Sequence, residues 1–233
     1  MANFGTMVSF AQENEDVILY YALDGDVRQA DVFFIDVGAN DPIALSVTML
    51  FSMLGGRGIN IEPLPEMKGR YELLRPRDIN LFVGCSDKHG EMKLCGSGVM
   101  ATMDAGNTPF YQGEGIMVPV YTLAEICDRY VPRYQPIHFL KVDVEGFERN
   151  VILGMDFSRY RPWILCIESC TPGTDHKDYD KWENLVLQSN YVFAYDGGIN
   201  RYYVAGERID IKRKFDVMKQ LLGQSHILHL REG

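Results

Sequence analysis

The stretch His138-Phe-Leu-Lys-Val-Asp-Val-Glu-Gly-Phe-Glu-Arg149 decides how the rest of the chain is read. Phe139, Leu140, Val142 and Val144 have the apolar character of a buried strand, yet Lys141, Asp143 and Glu145 are threaded through them. Side chains alternate across a strand, so the three ionisable groups share one face at its C-terminal end. Burial of charge is costly unless the charge is paired or used. We therefore read this strand as ending in an active site.

Working outward, apolar runs of strand character alternate with helical patterns. "DVFFIDVG" (31–38), "GRGINIEP" (56–63), "INLFVGCSD" (79–87) and "RPWILCIES" (161–169) read as strands. "IALSVTMLFSML" (43–54, closed by Gly55-Gly56), "LPEMKGRYELL" (64–74), a Thr122-capped segment, "FERNVILGM" (147–155) and "DYDKWENLVLQSN" (178–190) read as helices. "HGEMKLC" (89–95) reads as a short antiparallel addition, and "YVFAYDGGINRYYVA" (191–205) as a final hairpin around Asp196-Gly197-Gly198. This order predicts an α/β fold: an open, mostly parallel sheet with helices on both faces and an antiparallel terminal hairpin. It predicts one domain over 1–233, with an N-terminal helical segment (1–30) and a C-terminal helical extension (206–233). The Gly-rich, aperiodic segment 96–118 is a candidate lid or specificity loop.

Composition bounds the function. The 233 residues are 46% hydrophobic and 24% charged, enough apolar mass for a full core. The net charge of -9 would repel a phosphate backbone, so nucleic acid is not an expected partner. The one basic cluster, Lys212-Arg213-Lys214, is short and flanked by acids. No apolar run has a membrane-spanning length and the N-terminus has no signal core, which predicts a cytoplasmic protein. The five cysteines include no CxxC pair and read as reduced core thiols. A homodimer is the default expectation for a small enzyme.

In open α/β sheets ligands sit beyond the C-terminal strand ends, where strand order reverses. The first strand ends in "IDVGAND", where Gly38 permits a sharp turn and Asp36 faces the same side. The second ends in Glu62, placed to accept two hydrogen bonds from a ribose diol. The third ends in Ser86 and Asp87, which could meet an adenine edge. Dinucleotides and S-adenosylmethionine both use this layout. A dinucleotide site calls for G-x-G-x-x-G around a pyrophosphate, whereas here Gly38 is followed by Ala39, Asn40, Asp41 and Pro42. A sulfonium and an amino group suit acidic neighbours better, so the methyl donor is the expected cofactor.

"FIDVGAND", "INIEPLPE", "VGCSD" and above all "FLKVDVEGFE" resemble the FkbM family of S-adenosylmethionine-dependent methyltransferases, from about Ser9 to about Ala205. The resemblance implies a class I, Rossmann-like sheet of seven strands with a reversed last strand. It implies cofactor contacts from Asp36, Gly38, Asn40, Glu62, Ser86 and Asp87, and methylation of a hydroxyl on a sugar, polysaccharide or glycosylated metabolite. Many members carry a second glycine where this chain has Asp41-Pro42; Pro42 could instead begin the following helix.

Methyl transfer needs in-line alignment, which can supply ~7–11 kcal/mol of the barrier. It also needs a base for the hydroxyl, worth about 10²–10⁴ in rate. The candidate bases are Asp143, which also lies near the donor, Glu145 and His176, with Lys141 holding Asp143 ionised. A structural network of Lys141 with Asp143, and of Glu145 and Glu148 at the next helix start, is the plainer alternative. Glu168, Asn200 and Arg201 are substrate candidates; Asn200, Arg201 and Tyr202 could instead merely shape the hairpin. Asp143, Glu168 and His176 are groups a hard cation would use, but their spacing assigns no metal site. A nicotinamide-linked oxidoreductase and a non-catalytic protein on the same scaffold are the alternative functions.

Overall fold

The computed structural model describes residues 7–96, 98–103, 115–221 and 227–229. Strand β1 (Met7–Ser9) leads into helix α1 (Glu15–Leu23), strand β2 (Phe33–Val37) and the short helix α2 (Met49–Met53). Strand β3 (Arg57–Ile61), helix α3 (Lys68–Leu74) and strand β4 (Ile79–Leu81) follow. Strands β5 (Gly84–Cys85), β6 (Gly90–Leu94) and β7 (Ile116–Tyr121) precede helix α4 (Leu123–Tyr130). Then come strand β8 (Phe139–Val142), helix α5 (Glu148–Leu153), strand β9 (Ile164–Glu168) and helix α6 (Glu183–Gln188). Strands β10 (Tyr191–Asp196) and β11 (Asn200–Ala205), helix α7 (Ile209–Leu221) and strand β12 (Ile227–His229) complete the chain.

Seven strands form the main sheet in the order β10-β11-β9-β8-β2-β3-β4. Strands β4, β3, β2, β8 and β9 are parallel, and β11 runs antiparallel to both of its neighbours. The chain steps outward from β2 to β4 and then returns to place β8 on the other side of β2. The reversal of strand order therefore falls between β2 and β8, where α/β sheets place their ligands.

Alternation along the strands builds two cores. Phe33, Ile35, Val37, Leu140, Val142, Leu165 and Ile167 face α4, α5 and α6. Phe34, Phe139, Ile164, Cys166 and Tyr202 face α1, α2 and α7. Both faces are covered, which is why β2 is buried along its whole length. All five cysteines are buried free thiols, as expected. Within the second face runs a row of register partners, Asn80, Asn60, Asp36, Lys141, Cys166 and Tyr202, that carries polar groups across the sheet.

Several expectations change. The helix expected over 43–54 shrinks to α2, and Pro42 does not open it. The fully buried Arg75 takes the carbonyls of Pro42 and Thr48, while Asp41 accepts from the amides of Ile43 and Ala44. Those bonds compete with helical ones and hold 41–48 as an irregular strap. The third strand divides: β4 stays in the main sheet, while β5 pairs with β7 in a separate three-stranded sheet that also holds β6 antiparallel. Segment 1–30 includes β1, and the C-terminal extension includes β12, its parallel partner. Of the expected loop over 96–118, residues 97 and 104–114 lie outside the described residues, and 116–118 belong to β7. Thr122 does cap α4, in a capping box with Glu125. No helix among the described residues is long and apolar enough to cross a membrane.

Candidate active site

The first turn after β2 is made by close approach. Gly38 has φ +76°, and a Cβ there would stand 1.7 Å from the carbonyl oxygen of Asp143. Only glycine fits, so the β2 and β8 ends are drawn together. Asp36 and Lys141 are register partners on these strands and present their side chains to the same face. Lys141 Nζ lies 3.8 Å from the Asp36 carboxylate and 3.1 Å from that of Asp143, and donates to the Gly38 carbonyl at 3.3 Å. Burial alone would push the Lys141 ammonium down, but Asp143 and Asp36 outweigh it and hold its pKa well above the ordinary value. Burial raises Asp36, against the pull of Lys141. The plainer pairing of Lys141 with Asp143 is thus present, inside the site itself.

These groups line a cavity of about 90 Å³ together with Glu15, Gly38, Asn40, Glu62, Glu145 and the Val83–Cys85 segment. Glu62 is fixed by its own surroundings: its carboxylate accepts from the amides of Asn40 (2.7 Å) and Leu64 (2.9 Å). Each oxygen keeps lone-pair capacity for a further donor. Burial pushes Glu62 up to about 7, despite those two amides. Asn40, Leu45 and Glu145 all line this cavity and all hold positive φ, of 46°, 58° and 55°. Such left-handed backbone is costly for non-glycine residues and gathers at functional sites.

The β8 strand itself ends at Val142, so Asp143 and Glu145 stand in the turn that follows rather than on the strand face. Glu148 accepts the amides of Val144 and Gly146 and shapes this turn. Burial, then Asp143 and Glu148, push Glu145 up to about 8. Asp143 and Glu145 also line an adjoining open groove of about 720 Å³, with Glu13, Glu168 and Asp175. Burial and then the neighbouring Asp143 hold the Glu168 carboxyl far above its usual range.

The structure gathers Asp36, Gly38, Asn40, Glu62, Lys141, Asp143 and Glu145 at the cavity, and Glu168 at the groove. Ser86 and Asp87 are not among the lining residues. Ser86 is buried and donates to Asp87, which Asn150 also meets. Because β5 turns away from the main sheet, Val83, Gly84 and Cys85 front the cavity in their place. His176 is exposed and lines a separate groove with Lys177 to Lys181. Arg201 is stacked on Tyr179 and Phe193 and pairs with Glu183 and Asp196, away from the cavity. Asn200 is buried behind Glu15, to which its side chain donates, and Tyr202 packs in the core under α7. Glu15 was not anticipated. Its one sequence signal is an acid at the head of an apolar helix, in "ENEDVIL", and burial pushes it up to about 7.

A reversed-order α/β sheet with an acid-lined cavity at the strand ends is the doubly wound arrangement, which takes its ligands at that point. Residues 36–193, more than half of the chain, match the model of the methyltransferase FkbM domain, and the chain belongs to that family of methyltransferases. No curated protein sequence matches it. Membership of that family implies a methyl donor.

Proposed function

We propose that the chain is an S-adenosylmethionine-dependent O-methyltransferase that acts on a hydroxyl of a sugar or sugar-containing metabolite. The observation that carries this reading is the acidic lining of the cavity at the switch point. Among the described residues it holds five carboxyl groups, those of Glu15, Asp36, Glu62, Asp143 and Glu145, beside the one ammonium of Lys141. Such a lining suits a donor that bears cationic groups and no phosphate, and opposes a pyrophosphate. The buried Asp36 Oδ1 has no hydrogen bond and faces only the Lys141 ammonium, at 3.8 Å, which leaves it acceptor capacity for such a donor.

S-adenosylmethionine, when bound, supplies a methyl group activated by its sulfonium. Glu62 would receive the ribose diol through the lone pairs that Asn40 and Leu64 leave free. Lys141 pairs with Asp36 and Asp143 beside it. Asp143 and Glu145 front both the cavity and the groove, which supports a role for one of them as the base that takes the acceptor hydroxyl's proton. The groove, whose walls carry the carboxyl groups of Glu13, Asp143, Glu145, Glu168 and Asp175, suits a polyhydroxyl acceptor.

Calorimetric titration with S-adenosylmethionine and, in parallel, NAD tests this reading. Micromolar binding of the first and none of the second is expected. Binding of NAD alone, or of neither, would overturn it. Methyl transfer from labelled donor to a panel of free and glycosidic sugars then tests the acceptor class.

A further inference from the structure

We infer that Asp143, Glu145 and Glu168 form a site for one hard divalent cation, of the Mg²⁺, Mn²⁺ or Ca²⁺ type, at the mouth of the acceptor groove. Each of the three offers a carboxylate oxygen, and these oxygens all lie within 4.8 Å of one another. Oxygens opposed across such an ion are about 4.0–5.2 Å apart and neighbouring ones closer, so a cluster this compact is of the size that holds one ion. The sequence assigned no metal site; His176 lies outside this cluster, and its third carboxylate is that of Glu145.

The observation that separates this cluster from a solvated acidic patch is Glu168. The residue is only 9% exposed, at the tip of β9, and its Oε2 is shut off from solvent with no hydrogen-bond partner. A buried carboxylate oxygen is not left without a partner cheaply. The surrounding charges sharpen the need. Lys141 already serves Asp36, Asp143 and the Gly38 carbonyl. The groove walls add Glu13 and Asp175, and no lysine or arginine is among the described residues that line it. An ion here would retain open positions toward the groove, as hard cations commonly do. Resting on the methyltransferase reading, its role would be to take acceptor hydroxyl oxygens and lower their pKa beside the cavity.

The rival account is a proton shared between Asp143 and Glu168, and metal titration separates the two. Mn²⁺ is titrated into the full chain by electron paramagnetic resonance, with Mg²⁺ competition, for the wild type, Glu168→Gln and Glu145→Gln. The expected result is one saturable Mn²⁺ per chain, displaced by Mg²⁺ and bound at least tenfold more weakly by each variant. No saturable binding would overturn the inference in favour of the shared proton. Equal binding by wild type and variants would overturn it by placing the ion elsewhere. Should Glu168→Gln fail to fold, the half-buried Glu145→Gln decides alone. S-adenosylmethionine titration with chelator present keeps the two readings apart. Donor binding without Mn²⁺ binding removes only the metal site, while absent donor binding removes the function.

Discussion

Asn200 Nδ2 donates to Glu15 Oε1 at 2.7 Å, a bond between residues 185 positions apart in the chain. It ties the head of α1 to the start of β11 and fixes a buried carboxylate in the cavity wall. The other oxygen of Glu15, Oε2, accepts the amide of Glu13 at 2.8 Å, so the groove residue Glu13 is held by the same side chain. The N-terminal segment and the last hairpin therefore meet at the site. Replacing Asn200 with Ala would leave Glu15 buried with one partner fewer. We expect donor affinity and thermal stability to fall together, by ~1–3 kcal/mol. Calorimetry and a melting curve on the same sample check this.

Glu62→Gln should weaken donor binding about 10- to 100-fold, because charge-assisted bonds to a diol are worth roughly twice neutral ones. The backbone around it should persist, since Gln retains an acceptor for one of the two amides. An unchanged dissociation constant would remove Glu62 from the ribose role.

Asp143→Asn should lower turnover by about 10²–10⁴ while changing donor affinity far less, the signature of a group that acts in the proton transfer. Lys141 would lose a charged partner, so turnover is to be compared at matched folded fraction. Turnover within a few-fold of wild type would assign the base to Glu145.

Arg75→Met should destabilise strongly, by ~3–5 kcal/mol, since it strands the buried Asp78. Arg75 donates to Asp78 at 2.8 Å with both side chains fully buried, and it also clamps the 41–48 strap. Denaturant unfolding measures the loss. The strap borders the cavity through Leu45 and Val47, so donor affinity should fall as well.

Gly38→Ala and Gly25→Ala make a matched pair. Both glycines have φ near +80°, but only at Gly38 would the new Cβ meet backbone, while nothing lies within 4 Å at Gly25. Gly25→Ala should cost about 1 kcal/mol from the left-handed conformation alone. Gly38→Ala should lose most folded protein, seen as soluble yield and melting temperature.

Stability should fall as pH rises through neutrality. Glu15 and Glu62 are each held up to about 7 from an ordinary 4.5, in both cases by burial first. Between those values the folded chain keeps protons that the unfolded chain releases. Their contribution is therefore complete below about pH 4.5 and lost as pH climbs through about 7. Melting temperatures across that window should decline, and Glu15→Gln should flatten the decline. A rising profile would contradict the burial that causes both shifts.

The chain's own pattern determined the sheet's strands and the identity of most cavity residues. The continuous apolar runs at 31–38, 56–63 and 161–169 require burial on both faces, and the acids at their tips are conspicuous for being there at all. Asp36, Glu62, Lys141 and Asp143 could be picked out because charge beside apolar residues has few stable explanations. What lay outside that pattern was decided by contacts between distant segments. The helix over 43–54 was lost to Arg75, whose hydrogen bonds reach back by about thirty positions. Ser86 and Asp87 left the cavity because β5 pairs with β7 rather than continuing β4. Arg201 and His176 carried suitable chemistry on unsuitable faces. One slot of strand alternation turns Arg201 into a ring stack, and a loop's exit direction leaves His176 in solvent. Glu15 joined the site only because α1 packs across the sheet end, and Glu168 met Glu145 only because the turn after β8 bends back over β9. Local propensity is read within a few residues of the chain, while the partners that settle these positions stand tens of residues away or more, where only the folded geometry brings them within a hydrogen bond.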